Sequence, residues 1–352
     1  MNILIDAMGG DHAPEEIVKG AVAAASEMED TTISLIGPEA AVREELAKNH
    51  WEGTNIEIVP ASEVITNHEH PAMAVRKKKD STIVKGMNLV KSGEADVFIS
   101  GGSTGALLSA GLLNLGRIKG IRRPGIAAFF PKIGKNDATL ILDCGANVEA
   151  KAEYLEQFGI MGSIFVECVK GVKNPEVRLL NVGAEAEKGD ELHKEAYQRL
   201  SKANINFCGN VEGREVCLGV CDVVVTDGFA GNVFLKSSEG IALAVMNRIK
   251  DVMMSSTSSK VAALMLKGKM RSLKSEFDYS EEGGAPILGL KGAVLKIHGS
   301  SKADAVYNAI RKAKVYVEND VTKRIETAIA EEQGRMKKKA EAVLDAGEAT
   351  EA

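Results

Sequence analysis

Five short runs, mostly apolar, each end in a turn rich in groups that hold anions or move protons. Residues 2–6 lead into Gly9, Gly10, Asp11 and His12, and residues 97–100 into Gly101, Gly102, Ser103 and Thr104. Residues 140–143 lead into Gly145 and Asn147, and residues 223–227, ending in Asp227, into Gly228, Gly231 and Asn232. The run 293–297 precedes His298, Gly299, Ser300 and Ser301. Glycine lets the backbone come close to a ligand, and a helix N-terminus presents free N–H groups to anions. In the turn at Gly101, glycines and two hydroxyls coincide, which makes it the strongest phosphate cradle in the chain. Its bland counterpart is a helix cap on a tight turn. His12 at a strand end has the chemistry to donate to a developing oxyanion or to hold phosphate. Asp11 equally fits as the cap of the helix that Pro14 opens, and Ser300 or Ser301 as the cap of the next one. The Asp143/Asn147 and Asp227/Asn232 pairs fit hydrogen bonds that hold loops together better than an oxygen cage for a metal, which needs more ligands.

Such turns need a scaffold that gathers strand ends. Apolar strands without alternation suit a parallel sheet buried on both faces, where ligands collect beyond the carboxyl ends. Between the strands lie helical stretches at 15–27, 40–49, 84–91, 106–115 and 190–203, with further strands at 32–36, 56–59 and 178–182. This alternation predicts an α/β fold, a three-layer, doubly wound, mostly parallel sheet. One large catalytic domain over 1–320 is expected, with a helical segment protruding at about 251–274 and a charged helix and tail over 321–352. The chain has 352 residues and a net charge of −5, which argues against a general nucleic-acid binder. It opens on a strand with no basic and apolar leader, and no apolar run is long enough to span a bilayer, so a cytoplasmic protein is expected. There is no Gly-x-x-x-x-Gly-Lys-Ser/Thr and no Gly-x-Gly-x-x-Gly after a strand, which lowers ATP and NAD. His68-Glu69-His70 lacks the further ligands that zinc requires. The five cysteines read as reduced thiols.

Basic residues cluster at Arg76, Lys77, Lys78 and Lys79, and again at Arg117, Lys119, Arg122 and Arg123. They read as solvated faces or as steering charges for an acidic partner. Over 260–274 the helical period places Lys260, Lys267, Arg271 and Lys274 on one stripe. Leu266, Leu273 and Met265 turn away from it and Met270 lies on the boundary. Such a helix suits a membrane surface, or packing across a dimer.

Jointly these motifs resemble one family, the bacterial phosphate acyltransferases of phospholipid synthesis known as PlsX. The resemblance rests on Asp6-Ala7-Met8-Gly9-Gly10-Asp11-His12-Ala13-Pro14, Arg76-Lys77-Lys78-Lys79-Asp80-Ser81, Gly116-Arg117-Ile118-Lys119-Gly120 and Gly209-Asn210-Val211-Glu212. It continues through Thr226-Asp227-Gly228-Phe229, Tyr279 with Gly283-Gly284-Ala285-Pro286, and His298-Gly299-Ser300-Ser301, in family order to about residue 317. Ser103 stands where the family commonly has Asn. The resemblance implies a fold like isopropylmalate dehydrogenase and phosphotransacetylase, and transfer of a long acyl group from acyl carrier protein to inorganic phosphate. It implies a homodimer without metal or cofactor, peripheral at the inner face of the cell membrane, feeding a membrane-bound glycerol-3-phosphate acyltransferase. On that basis His12, Asn147 and Asp227 are expected to be catalytic. Gly9, Gly10, Asp11, Gly101, Gly102, Ser103, Thr104, His298 and Ser300 are expected to bind substrate. Arg76, Lys77, Lys78, Lys79, Arg117, Arg122 and Arg123 are expected to dock the carrier protein. Leu266, Lys267, Met270, Arg271, Leu273 and Lys274 are expected at the membrane. The competing readings are an NAD-dependent hydroxy-acid dehydrogenase of the same fold group and a non-catalytic carrier-protein or membrane adaptor.

Overall fold

A computed structural model describes residues 1–135, 137–276 and 283–351, so Tyr279 lies outside the described residues. The first half alternates strictly: β1 (Asn2–Asp6), α1 (Glu15–Glu27), β2 (Thr32–Gly37), α2 (Glu39–Lys48) and β3 (Ile56–Pro60). Then come α3 (Pro71–Lys77), α4 (Thr82–Ser92), β4 (Val97–Ser100) and α5 (Thr104–Ala110), which runs on through a π-helical turn at Gly111–Leu115. The hairpin β5 (Gly125–Pro131) and β6 (Ala138–Leu142) is followed by α6 (Ala152–Lys170), β7 (Val177–Asn181), α7 (Glu191–Leu200), β8 (Phe207–Glu212), α8 (Gly213–Val216) and β9 (Val223–Val225). Two long helices, α9 (Gly228–Met253) and α10 (Thr257–Glu276), precede β10 (Ala285–Leu288), β11 (Ala293–Lys296), α11 (Ala303–Glu318) and α12 (Val321–Glu351).

All the strands join one sheet of order β3-β2-β1-β4-β11-β10-β5-β6-β9-β7-β8. β1 to β4 and β11 are parallel, while β10 is antiparallel to both β11 and β5. β5 pairs antiparallel with β6, and β6, β9, β7 and β8 are parallel to one another. The sheet is therefore mostly parallel, with two sets of strands running in opposite senses. Period-two burial explains the layers: Ile3, Ile5, Val97, Ile99, Leu140 and Leu142 pack into the core on one face. Leu4, Phe98 and Ile141 pack into the core on the other. Helices cover both faces; α1 buries Ile17, Val18, Ala21, Ala24 and Ala25, a helical stripe.

Three elements depart from the expected pattern. α6 had no counterpart in the sequence reading, because its burial nearly all round hides the helical period. α12 is more than a charged tail: Val321, Ile325 and Ile329 are buried in the main core. The protruding segment is a helical hairpin of α9 and α10. Only the first turns of α9 are anchored, through buried Gly228, Gly231 and Leu235 and through Phe234 against Phe130, ring centroids 5.2 Å apart.

Candidate functional site

At the carboxyl ends of β1, β4 and β11 three turns stack on each other. The buried Asp6 carboxylate accepts from Ser100 Oγ at 2.7 Å and from the Met8 N–H at 3.1 Å, and Ser100 Oγ accepts from the Gly102 N–H at 3.0 Å. Burial pushes the Asp6 carboxyl up, against these hydrogen bonds. A Cβ on Gly101 would sit 2.4 Å from Gly9 O, so the two turns can touch only if glycine is there. Asp11 N donates to Gly299 O at 2.7 Å, bringing the third turn in. The Gly102 amide, expected to face phosphate, is thus already satisfied by Ser100. Ser103 is a helix cap, accepting from the Ala106 N–H at 3.4 Å, and the helix starts at Thr104. α1 starts after Pro14, so Asp11 is not its cap.

Lys296, the last residue of β11, was not singled out in the sequence because it sits inside an apolar run. Its half-buried ammonium donates to Gly101 O at 3.3 Å and to Ile297 O. Burial lowers its pKa to about 8, against the pull of Asp11 and Asp6. His298 Nδ1 accepts from the Ser300 N–H at 3.2 Å and lies 2.8 Å from Ser300 Oγ. A ring nitrogen that accepts from a backbone N–H carries no hydrogen, so the neutral ring holds its hydrogen on Nε2, as a donor. Burial, then Lys236 and Lys296, lower the His298 pKa and favour that neutral form. Ser300 is exposed beside it. His12 is exposed, and among the described residues no hydrogen bond fixes its ring; its carbonyl accepts from Glu16 N at 3.1 Å.

A second cluster forms at the ends of β6 and β9. The buried Asp143 carboxylate accepts from the backbone N–H groups of Ile126, Gly145, Ala146 and Asn147, and from Asn147 Nδ2 at 2.8 Å. Asn147 Nδ2 also donates to Pro124 O at 2.8 Å. Asp227 caps α9, accepting from Phe229 N and Ala230 N at 2.8 Å. Asn147 O accepts from Gly228 N at 2.8 Å, and Cys144 O from Asn232 Nδ2 at 3.1 Å. The loop-holding role read from these pairs is what the geometry shows.

The two clusters belong to strand sets of opposite sense. α9 joins them: it begins at Asp227, its Glu239 lies in the electrostatic field of Cys144 and of His298, and its Lys236 acts on Lys296 and His298. At 1.5 Å per residue Lys236 lies about 14 Å along the axis from Asp227.

Of the basic residues, Arg76, Lys77, Lys79 and Arg123 are exposed. Lys78 is committed to Glu69 at 2.8 Å and to Val64 O, Arg122 to Glu153 at 2.8 Å, and Arg117 to Arg122 O. On the hairpin, Met270 and Leu273 are half-buried and Leu266 is 39% exposed. Leu264 and Met265 are 73% and 83% exposed, joined by Ile241, Leu243, Val245 and Val261. Lys267 is exposed, while the side chains of Arg271 and Lys274 lie outside the described residues. The most exposed apolar residues of α10 are thus Met265, which was expected on the apolar face, and Leu264, which was not.

Among the described residues no group of three or more His, Cys, Asp or Glu is placed to hold a metal ion, and no helix is long and apolar enough to cross a membrane. Among solved structures the chain is similar to a phosphotransacetylase from Streptococcus pyogenes, with a TM-score of 0.57, 17% identity and 94% of each chain covered. It is also similar to EutD phosphotransacetylase from Staphylococcus aureus, with a TM-score of 0.55 at 18% identity over 93% of this chain and 94% of that one. At such identities the likeness establishes the fold. Closer relatives are the phosphate acyltransferases of Clostridium acetobutylicum, 49% identical over 94% of this chain and 99% of that protein, and of Thermoanaerobacter pseudethanolicus, 47% identical over 94% and 97%. The family model described as fatty acid synthesis protein matches residues 1–324. The chain belongs to this fatty acid synthesis protein family and is an acyltransferase.

Proposed function

We propose that the chain transfers a long-chain acyl group from the thioester of acyl carrier protein to inorganic phosphate, releasing acyl phosphate for phospholipid synthesis. The observation that carries this reading is the 46–49% identity, over more than nine-tenths of the chain, to relatives named phosphate acyltransferase. A phosphate oxygen attacks the thioester carbon and the C–S bond breaks. The leaving thiolate takes up the proton that phosphate gives up, forming the free thiol of the carrier. Thiols ionise near pH ~8.5, so the leaving group needs little help. The protein's task is to hold phosphate against the carbon and to meet the oxyanion with donors. We place phosphate among Gly9, Gly10, Asp11, Gly101, Gly102, Ser103, Thr104, His298 and Ser300, with the ring of His12 or the turn amides near Gly9 and Gly10 as oxyanion donors. Asn147 and Asp227 act by holding the turns after β6 and β9 in shape. Arg76, Lys77, Lys79 and Arg123 supply the free charge for an acidic carrier. A carrier thiol assay tests the reading: thiol should appear only when phosphate is present, and release without phosphate would refute it.

The hairpin fits a membrane surface where the product would be handed on, with a second copy of this chain as the competing occupant. Changing Leu264 and Met265 to Glu should abolish sedimentation with anionic liposomes while leaving turnover of soluble acyl carrier protein intact. Monomers on size-exclusion chromatography, in place of wild-type dimers, would assign the patch to the dimer instead.

A further inference from the structure

We propose that Lys296 is the cationic anchor of the inorganic-phosphate subsite, holding the anion beside the Nε2–H of His298. An ammonium group has three N–H donors. Two are taken by the carbonyls of Gly101 and Ile297, and among the described residues no third acceptor and no paired carboxylate meets the group. A half-buried cation with an unmet donor is costly unless an anion completes it. The carbonyls it holds belong to two of the three stacked turns, so Lys296 is fixed where those turns meet. His298 is two residues along the same chain, with Nδ1 occupied by Ser300 and Nε2–H available. Two donors of different kind thus lie within each other's electrostatic reach at a turn where Gly102 and Ser103, already engaged, offer little. The inference deepens the proposed acyl transfer and rests on it for the identity of the anion.

Charged groups acting on Lys296 are Asp6 from β1, Asp11 from the following turn and Lys236 from α9. Lys236 and Glu239 of α9 also face His298. Because burial holds the Lys296 amine near a pKa of about 8, it is charged at neutral pH and loses its proton over the next unit. Anion binding is full while the amine is charged, so affinity is lost as pH rises through that value.

Two measurements test this. Calorimetric titration of the unmodified protein with inorganic phosphate, and separately with sulfate, which does not titrate in this range, should show affinity falling about twofold from pH 7 to 8 and about tenfold by pH 9. Lys296→Met should raise the KM for phosphate at least tenfold with the KM for the acyl donor nearly unchanged, and Lys296→Arg should recover part of the loss. Phosphate affinity unchanged in a folded Lys296→Met protein, or a flat profile to pH 9.5 with both anions, would overturn the proposal. If the unmodified protein bound phosphate through Lys296 yet released no thiol, the subsite would stand and the acyl-transfer reading would fall.

Discussion

Gly231→Ala should lower stability by about 3 kcal/mol or more, because overpacking against rigid backbone is costly. The added Cβ would lie 2.1 Å from Asp143 O and 2.7 Å from Thr226 Cγ2. Neither can retreat: Thr226 is buried, and Asp143 N donates to Thr226 O at 3.0 Å, tying the ends of β6 and β9 together. At about 2–4 °C per kcal/mol for large domains, the melting temperature should fall by roughly 6–12 °C. Gly240→Ala, in the same helix with nothing within 4 Å of the new Cβ, should gain up to about 1 kcal/mol of helix propensity. A scanning calorimetry comparison in which both variants behave alike would show that α9 does not press on the β6 turn as described.

Asp143→Asn should cost a comparable amount. The Asp143 side chain accepts five hydrogen bonds, three at Oδ1 and two at Oδ2. Burial pushes the carboxyl up and the donors pull against it. An amide puts N–H groups where at least two donors already point, and each unmet buried group costs about 1–3 kcal/mol. Denaturant unfolding should report a loss of roughly 2–6 kcal/mol, the sum of two such groups. A loss under 1 kcal/mol would mean that Asp143 is already protonated in the fold and its donors are weakly held.

These two residues also show how far the sequence could be read. Strands of unbroken apolar residues made β1, β4, β6, β9 and β11 visible, and glycine with Asp or Asn beyond them marked their turns. Which turns share a cluster depended on strand direction, and that was set by β5 and β10, neither of which was read as a strand. β5 (Gly125–Pro131) carries Gly, two Ala and Pro, which are poor strand formers, and β10 (Ala285–Leu288) is only four residues long. The second cluster was legible as loop-holding pairs, but the engagement of Gly102 by Ser100, and of Lys78 by Glu69, depends on contacts 2 to 9 residues away along a folded path. Lys296 was hidden for the opposite reason: a single lysine ending an apolar strand has no periodic signature, and only burial beside Asp6 and Gly101 distinguishes it. The hairpin period was read correctly as helical, but its exposed face depends on how α10 lies on α9.

The most direct measurement is identification of the product. Acyl carrier protein charged with a long acyl chain, incubated with the protein and inorganic phosphate, should give an acyl phosphate in amounts equal to the thiol released. Hydroxylamine added after the enzyme has been removed should convert that product to a hydroxamate of the same acyl chain. Mass spectrometry should find the acyl phosphate only in the complete mixture. Free fatty acid in its place from the outset, with thiol release independent of phosphate, would make the protein a thioesterase and contradict the account.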